Sequence, residues 1–198
     1  MKRRDFVKVG ALGSAALITN SCSNNGSSNN EQSILLTKSK EIKVISTWVS
    51  GIDANKEAFQ ILKSNGSSIN AIEKGLNITE SDPENTSVGL GGMPDANGLV
   101  TLDASIMDHN YNCGSVTYLQ NIEHPISVAR KVMEETPHVM LSGKGAYEFA
   151  LEQGFKHKNL LTDSSLQKWQ EWKDKKTLSL PAINHENHDT IAMIAQDE

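Results

Sequence analysis

The 198-residue sequence has few cysteines and no basic cluster beyond its first eight residues. Its two cysteines permit one disulfide at most, which excludes a small fold held together by several disulfides. The formal charge is −5, so nucleic acid is not expected as a partner. Hydrophobic residues make up 37% of the chain, enough for a buried core, which excludes a disordered protein. The composition leaves a small-molecule enzyme or a binding module.

The N-terminus also lacks a hydrophobic run long enough to cross a bilayer as a helix. Residues 2–8 are mostly basic and residues 9–18 are largely apolar, which is the pattern of an export signal spanning residues 1–21. The paired arginines resemble a twin-arginine signal, and an ordinary secretory signal is the alternative. Cys22 follows Thr-Asn-Ser, as in a lipoprotein processing site, and a polar linker extends to residue 40. We expect an exported, periplasmic protein with a lipid anchor on Cys22.

The remaining chain alternates between strand-like and helix-like patterns. Short β-branched or alternating runs predict strands at residues 41–48, 99–107, 111–119 and 190–195, of which the middle two form a hairpin. Apolar residues at helical spacing, with start and stop signals around them, predict five helices. These begin near Asp53, Ser68, Pro125, Gly145 and Asp163, and Asp53 is the expected N-cap of the first. The sum predicts an α/β fold with antiparallel pairing.

A glycine-rich segment, residues 88–95, is the first candidate for a binding loop. It lacks the Lys-Ser/Thr pair of a phosphate loop and the spacing of a dinucleotide-binding turn, so no cofactor is expected there. Gly89, Gly91 and Gly92 instead indicate a place where the backbone closely approaches another chain segment. Cys113 adjoins an alternating run and is predicted to be packed rather than catalytic.

The polar segment before the last predicted strand contains residue types that bind metals or do chemistry. His185 and His188 have a spacing that suits a metal ion on a helix, but Pro181 argues against a helix, so we predict no metal site. Asp189-Thr190 marks the junction of a polar loop and an apolar strand, where backbone strain can activate a carbonyl towards a neighbouring hydroxyl. If the chain is cut before Thr190, the freed α-amine is a base for the hydroxyl of the same residue.

Five short blocks of the sequence are distinctive when taken together. They are residues 46–48 (Ser-Thr-Trp), 89–95 (Gly-Leu-Gly-Gly-Met-Pro-Asp), 100–104 (Val-Thr-Leu-Asp-Ala), 125–130 (Pro-Ile-Ser-Val-Ala-Arg) and 187–191 (Asn-His-Asp-Thr-Ile). In content and order they resemble the glycosylasparaginase (aspartylglucosaminidase) family of N-terminal-nucleophile hydrolases. The resemblance implies a four-layer αββα sandwich without a cofactor. Residues 41–189 would be an α-subunit and residues 190–198 the start of a β-subunit. The family forms an α/β heterodimer after self-cleavage, which suggests a dimer of such pairs.

The resemblance also implies residue roles. Thr190 attacks the carbonyl of Asp189 and, after an N-to-O acyl shift and hydrolysis, becomes a new N-terminus. Asp189 is the local acid/base of that step, and His188 lies in the supporting loop. The freed Thr190 is then nucleophile and, through its α-amine, general base in hydrolysing the amide bond between asparagine and N-acetylglucosamine. Trp48 lines the substrate pocket, and the glycine-rich loop lies near the cleavage loop.

The sequence departs from the family pattern in two respects. Ala192 stands where the family usually has glycine, and we expect it to slow self-cleavage. The family's oxyanion hole and substrate clamp belong to the β-subunit, of which eight residues follow Thr190 here, so this chain is expected to be an inactive fragment by itself. The alternatives are an L-asparaginase or isoaspartyl peptidase of the same superfamily, and a non-catalytic lipid-anchored binding domain.

Overall fold

The computed structural model describes residues 41–175 and 190–197. These ranges contain five helices and five strands. In chain order they are β1 (Lys43–Ser46), α1 (Gly51–Lys63), α2 (Ser68–Glu80), β2 (Leu102–Met107), β3 (Cys113–Leu119), α3 (Pro125–Glu135), β4 (Leu141–Ser142), α4 (Gly143–Glu152), α5 (Asp163–Asp174) and β5 (Met193–Gln196). The predicted α/β class is confirmed, and the four-layer arrangement stays a prediction. No helix in the described ranges is long and apolar enough to cross a membrane.

The strands form two sheets in the described part of the chain. In the first, β1 pairs antiparallel with β5, and Ile45 lies opposite Ile194. In the second, β2 and β3 form the predicted antiparallel hairpin, with Leu102 and Ile106 buried on one face. The two-residue strand β4 adds to β3 in parallel, and no pattern predicts it because two residues show no alternation.

Hydrophobic packing joins the two sheets to the helices. The largest cluster contains the nearly inaccessible side chains of Val116 and Leu119 on β3, together with Val128 on α3. A smaller cluster lies where α1 and α2 cover one face of the β1–β5 sheet, and Ala58 is fully buried in it. Met193 of β5 packs against both clusters. Strand β5, the first strand after Thr190, is therefore held against the hydrophobic core by the side chains of its packed face.

Two predicted helix starts are wrong by two or three residues. The first helix begins at Gly51 with Ser50 as its N-cap, and Asp53 lies in the first turn instead. A carboxylate is favourable both at the N-cap and in the first turn, because it lies near the positive end of the helix dipole at either position. The residue type alone therefore does not distinguish these two positions. The fourth helix begins at Gly143 rather than Gly145. Its first residue has φ +54°, which glycine adopts without strain.

Two sequence patterns predict more burial than the structure shows. The apolar run 190–195 predicts a buried strand, but β5 is packed on one face only, since Met193 is half-buried whereas Ile194 is 73% exposed. The described residues cover the β1–β5 sheet with helices on the face of Met193, which explains the difference. Helical spacing predicts Trp169 and Trp172 on one face of α5. Trp169 is half-buried and its indole donates to the Asp95 carbonyl oxygen at 2.9 Å, but Trp172 is exposed.

Candidate active site

The turn between β1 and α1 is tight and strained. Trp48 has φ +66°, an uncommon conformation for a bulky side chain that costs about 1–3 kcal/mol. Ser46 Oγ donates to the Gly51 carbonyl oxygen at 3.2 Å, and a Cβ on Gly51 would overlap the Ser46 side chain. Strained backbone persists only where surrounding contacts hold it, and it clusters at functional sites. The turn is therefore a candidate site by its geometry alone.

The side chain of Trp48 reaches the residue predicted as nucleophile. Its indole Nε1 donates to the backbone carbonyl oxygen of Thr190 at 2.7 Å. Thr190 is exposed and lies three residues before β5 begins. The structure thus brings together Trp48 and Thr190, which the sequence predicts for the same site although they are far apart along the chain.

Thr47 forms two hydrogen bonds with the backbone of Ala192, two residues beyond Thr190. Its N–H donates to the Ala192 carbonyl oxygen at 3.0 Å, and its Oγ1 accepts from the Ala192 N–H, also at 3.0 Å. Both polar groups of the Ala192 backbone are therefore satisfied by one residue. The sequence pattern assigns no role to Thr47. The one signal that could have indicated such a role is that Thr47 directly precedes Trp48 in a block that resembles the family. The predicted effect of Ala192 on self-cleavage is not tested by this geometry.

The glycine-rich loop packs against the C-terminal end of α2. Leu90 N–H donates to the Glu80 carbonyl oxygen at 2.7 Å, and Gly92 N–H donates to the Gly89 carbonyl oxygen at 3.3 Å. Gly89 has φ +64° and Gly91 has φ +85°, and a Cβ on Gly89 would overlap the Glu80 backbone. The predicted close approach to another chain segment is confirmed. The predicted position beside the cleavage loop stays a prediction, because residues 176–189 lie outside the described residues.

Behind this loop, the Glu80 carboxylate is buried and hydrogen-bonded. It accepts from the Ile126 N–H and from Asn77 Nδ2, both at 3.0 Å, and lies 3.2 Å from His124 Nδ1. Burial raises the pKa of Glu80, and the hydrogen bonds from His124, Ile126 and Asn77 oppose that shift. The carboxylate links the end of α2 to the first turn of α3, where the N-cap residue His124 makes no side-chain cap of its own.

Three predicted site residues lie outside the described residues, namely Cys22, His188 and Asp189, and so does His185, for which no metal site is predicted. Their roles stay predictions. Cys113 is half-buried on β3, which fits the predicted packing role. Among residues 41–175 and 190–197, no group of three or more His, Cys, Asp or Glu side chains is placed to hold a metal ion.

Comparison with known proteins adds to this geometry. The family model described as asparaginase, Asparaginase_2, matches residues 31–198. The chain belongs to this asparaginase family. The family assignment drawn from the five sequence blocks is therefore confirmed.

Individual relatives in the family carry two kinds of name. An N(4)-(beta-N-acetylglucosaminyl)-L-asparaginase of Elizabethkingia miricola is 51% identical over 195 residues, which cover 98% of this chain and 56% of that protein. The protein of the same name from Rattus norvegicus is 40% identical over 65% of this chain and 37% of its own length. An isoaspartyl peptidase/L-asparaginase of Rattus norvegicus is 41% identical over 51% of this chain and 30% of its own length. This chain thus spans about half the length of the first relative and less of the other two.

Proposed function

We propose that this asparaginase family member supplies the self-cleaving part of an amidohydrolase that acts on glycosylated asparagine. The observation that carries the proposal is the hydrogen bond of 2.7 Å from the strained Trp48 to Thr190. It holds an exposed threonine at the entrance to β5. The names of the relatives from Elizabethkingia miricola and Rattus norvegicus support N-acetylglucosaminyl asparagine as the substrate class.

In the proposed self-cleavage, Thr190 Oγ attacks the carbonyl carbon of Asp189. The C–N bond breaks as the C–O bond forms, and the proton moves to the freed amine with Asp189 as the local acid/base. Water then hydrolyses the ester and leaves Thr190 with a free α-amine. The contacts of Trp48 and Thr47 fix the chain on the C-terminal side of the scissile bond, which reduces the entropy lost on reaching the attacking geometry.

In the proposed mature reaction, the same Thr190 Oγ attacks the side-chain amide carbon of the substrate asparagine. The α-amine accepts the hydroxyl proton and returns a proton to the leaving glycosylamine. Water hydrolyses the resulting β-aspartyl ester and regenerates the hydroxyl. The half-exposed ring of Trp48 offers an apolar surface for the substrate beside the nucleophile.

A second candidate function is hydrolysis of asparagine or of isoaspartyl peptides. The relative from Rattus norvegicus named isoaspartyl peptidase/L-asparaginase favours it, as it matches half of this chain. Both functions use the same threonine, so the amide substrate distinguishes them. An N-acetylglucosaminyl asparagine and a β-aspartyl dipeptide, assayed in parallel on one preparation, rank the two.

The proposal is tested by expressing the complete open reading frame with Thr190 unchanged and with Thr190→Ala. We expect the unchanged protein to give two polypeptides, the second starting at Thr190 by N-terminal sequencing, and to hydrolyse the glycosylated substrate. The Thr190→Ala variant should remain one polypeptide without activity. Full activity of an uncut chain would refute the mechanism. Loss of cleavage with retained activity in Thr190→Ala would place the nucleophile elsewhere.

We also propose that the protein is exported and held at the membrane by lipid on Cys22, and that processed α/β pairs form dimers. The basic N-terminus, the short apolar run and the polar linker support export, and the family resemblance supports the dimer. Mass spectrometry of the N-terminal peptide should show a diacylated or triacylated Cys22 in membranes, and Cys22→Ser should release the protein into the soluble fraction. An unmodified Cys22 in mature protein would contradict the anchor.

A further inference from the structure

The chain that follows β5 makes a contact that the proposed chemistry does not use. Asp197 Oδ2 accepts a hydrogen bond of 2.7 Å from the backbone N–H of Ser68, the first residue of α2. A carboxylate at a helix N-terminus is stabilised by the helix dipole and by an otherwise unpaired N–H group. The hydrogen bond from Ser68 holds the pKa of Asp197 below its usual range.

The helix already has a cap from its own segment. Ser67 is the N-cap residue of α2, and its side chain accepts from the Asn70 N–H at 3.4 Å. The bond from Asp197 is therefore an additional one, and it comes from the opposite end of the described chain. Its distinctive effect is to tie the exit of β5 to the start of α2.

A fixed exit matters because the alternation of β5 excludes a slip by one residue against β1, which would turn its packed face to solvent, but does not exclude a slip by two. Ile191, Met193 and Ala195 share the packed face of the segment, so a slip by two residues keeps apolar side chains at two of these three positions. The outer face does not oppose such a slip either, since the paired side chains of Ile45 and Ile194 are 66% and 73% exposed. Such a slip would move Thr190 by about 7 Å along the strand direction.

We propose that Asp197 is a positioning residue for Thr190, because its contact with α2 fixes the register of β5 against β1. The inference rests on the proposed function of Thr190 as nucleophile. Thr47 holds the entrance of the segment at Ala192, and Asp197 holds its exit at Ser68. Between these two points the strand cannot slide without breaking one of them, so the threonine stays beside Trp48.

Two variants remove the contact from opposite sides. Asp197→Ala removes the acceptor, and Ser68→Pro removes the N–H donor. Proline is well tolerated at the first position of a helix, and Ser67 has ψ 154°, which suits a residue before proline. The matched control is Ser67→Ala, which weakens the local cap of the same helix but leaves the bond to Asp197 in place.

Disulfide trapping measures the register directly, in a chain with Cys22→Ser and Cys113→Ser. Ile45→Cys with Ile194→Cys reports the observed register, and Lys43→Cys with Ile194→Cys reports a slip by two residues. We expect Asp197→Ala and Ser68→Pro to lower the rate of 45–194 cross-linking and raise the 43–194 yield, each by about fivefold, the effect typical of losing one cap. Ser67→Ala should leave both unchanged.

Self-cleavage of the complete open reading frame supplies the functional readout. Asp197→Ala and Ser68→Pro should each slow it by about fivefold, and the double variant should be no slower than either single variant, since both remove the same contact. Unchanged cross-linking and cleavage in both variants, or additive effects in the double variant, would overturn the proposal. If the unaltered chain does not cleave at 189–190, the proposed function fails, whereas the cross-linking pattern still decides the role of Asp197.

Discussion

At the scale of single residues, a few side chains join parts of the molecule that are distant in sequence. The Trp48 indole donates a hydrogen bond to the carbonyl oxygen of Thr190, and the Glu80 carboxylate accepts one from the Ile126 N–H in the first turn of α3. These two contacts differ in their burial. Trp48 is 40% exposed, whereas Glu80 lies in the interior, where its charge is disfavoured.

Replacing Glu80 with Gln tests the effect of burying this carboxylate. Its folded-state pKa is raised above the unfolded value of about 4.3, so its contribution to stability is fully present below that value and is lost as pH rises through the folded pKa. Gln keeps an oxygen for the Ile126 N–H but carries no charge. We expect the free energy of unfolding of wild type minus that of Glu80→Gln to fall as pH rises from about 4 to 8.

Urea denaturation of the two proteins at each pH measures that difference. Carboxylates with lowered pKa, such as Glu73 beside Arg130, make stability rise with pH, but they do so in both proteins and cancel. A difference that is independent of pH, or that grows with pH, would contradict the raised pKa of Glu80.

At the scale of elements, glycines in left-handed conformations decide where a helix ends and where a loop approaches a neighbour. Gly154 follows α4 with φ +87°, and the N–H of Phe155 donates to the Ala150 carbonyl oxygen at 3.0 Å, which ends the helix. Gly89 serves a different purpose. Its φ of +64° and its contact with Glu80 allow the glycine-rich loop to lie directly on α2.

Gly89→Ala should therefore destabilise the protein by about 2 kcal/mol or more, since the Cβ both strains the backbone and overlaps Glu80. Gly145→Ala is the matched control. It lies in α4 with no heavy atom within 4 Å of an added Cβ, so we expect a gain of about 0.5–1 kcal/mol. Thermal or urea unfolding of both variants checks the prediction. Equal effects of the two substitutions would show that the loop does not need glycine at position 89.

At the scale of the whole molecule, the segment 190–197 is bound at several places in the described part of the chain. It pairs with β1, it packs through Met193 against both hydrophobic clusters, and it is hydrogen-bonded near its ends by Thr47 and Ser68. None of these contacts depends on a peptide bond between residues 189 and 190. Cleavage there should leave the segment in place.

We therefore expect the two products of self-cleavage to remain together under native conditions. Native mass spectrometry of the processed open reading frame should show one complex containing both polypeptides, and gel electrophoresis in denaturant should separate them. Thr190→Ala, which stays uncut, gives the reference mass and elution volume. Separation of the products without denaturant would show that these contacts are too weak to hold the segment.

The sequence by itself determined what local patterns encode. Alternation predicted the β2–β3 hairpin, helical spacing predicted five helices to within a few residues, and the glycine run predicted a close backbone approach. The matched blocks predicted the family and the candidate nucleophile Thr190. Each of these signals lies within a short window, because dihedral preference and periodicity depend on neighbouring residues.

Only the tertiary structure decided how the site is assembled. The pairing of β1 with β5, the bond from Trp48 to Thr190 and the bond from Ser68 to Asp197 each join residues more than a hundred positions apart. Such contacts leave no periodic trace, since a single donor and a single acceptor suffice. The role of Thr47 was not predictable for the same reason, because it depends on where Ala192 lies in the fold and not on the sequence neighbours of Thr47.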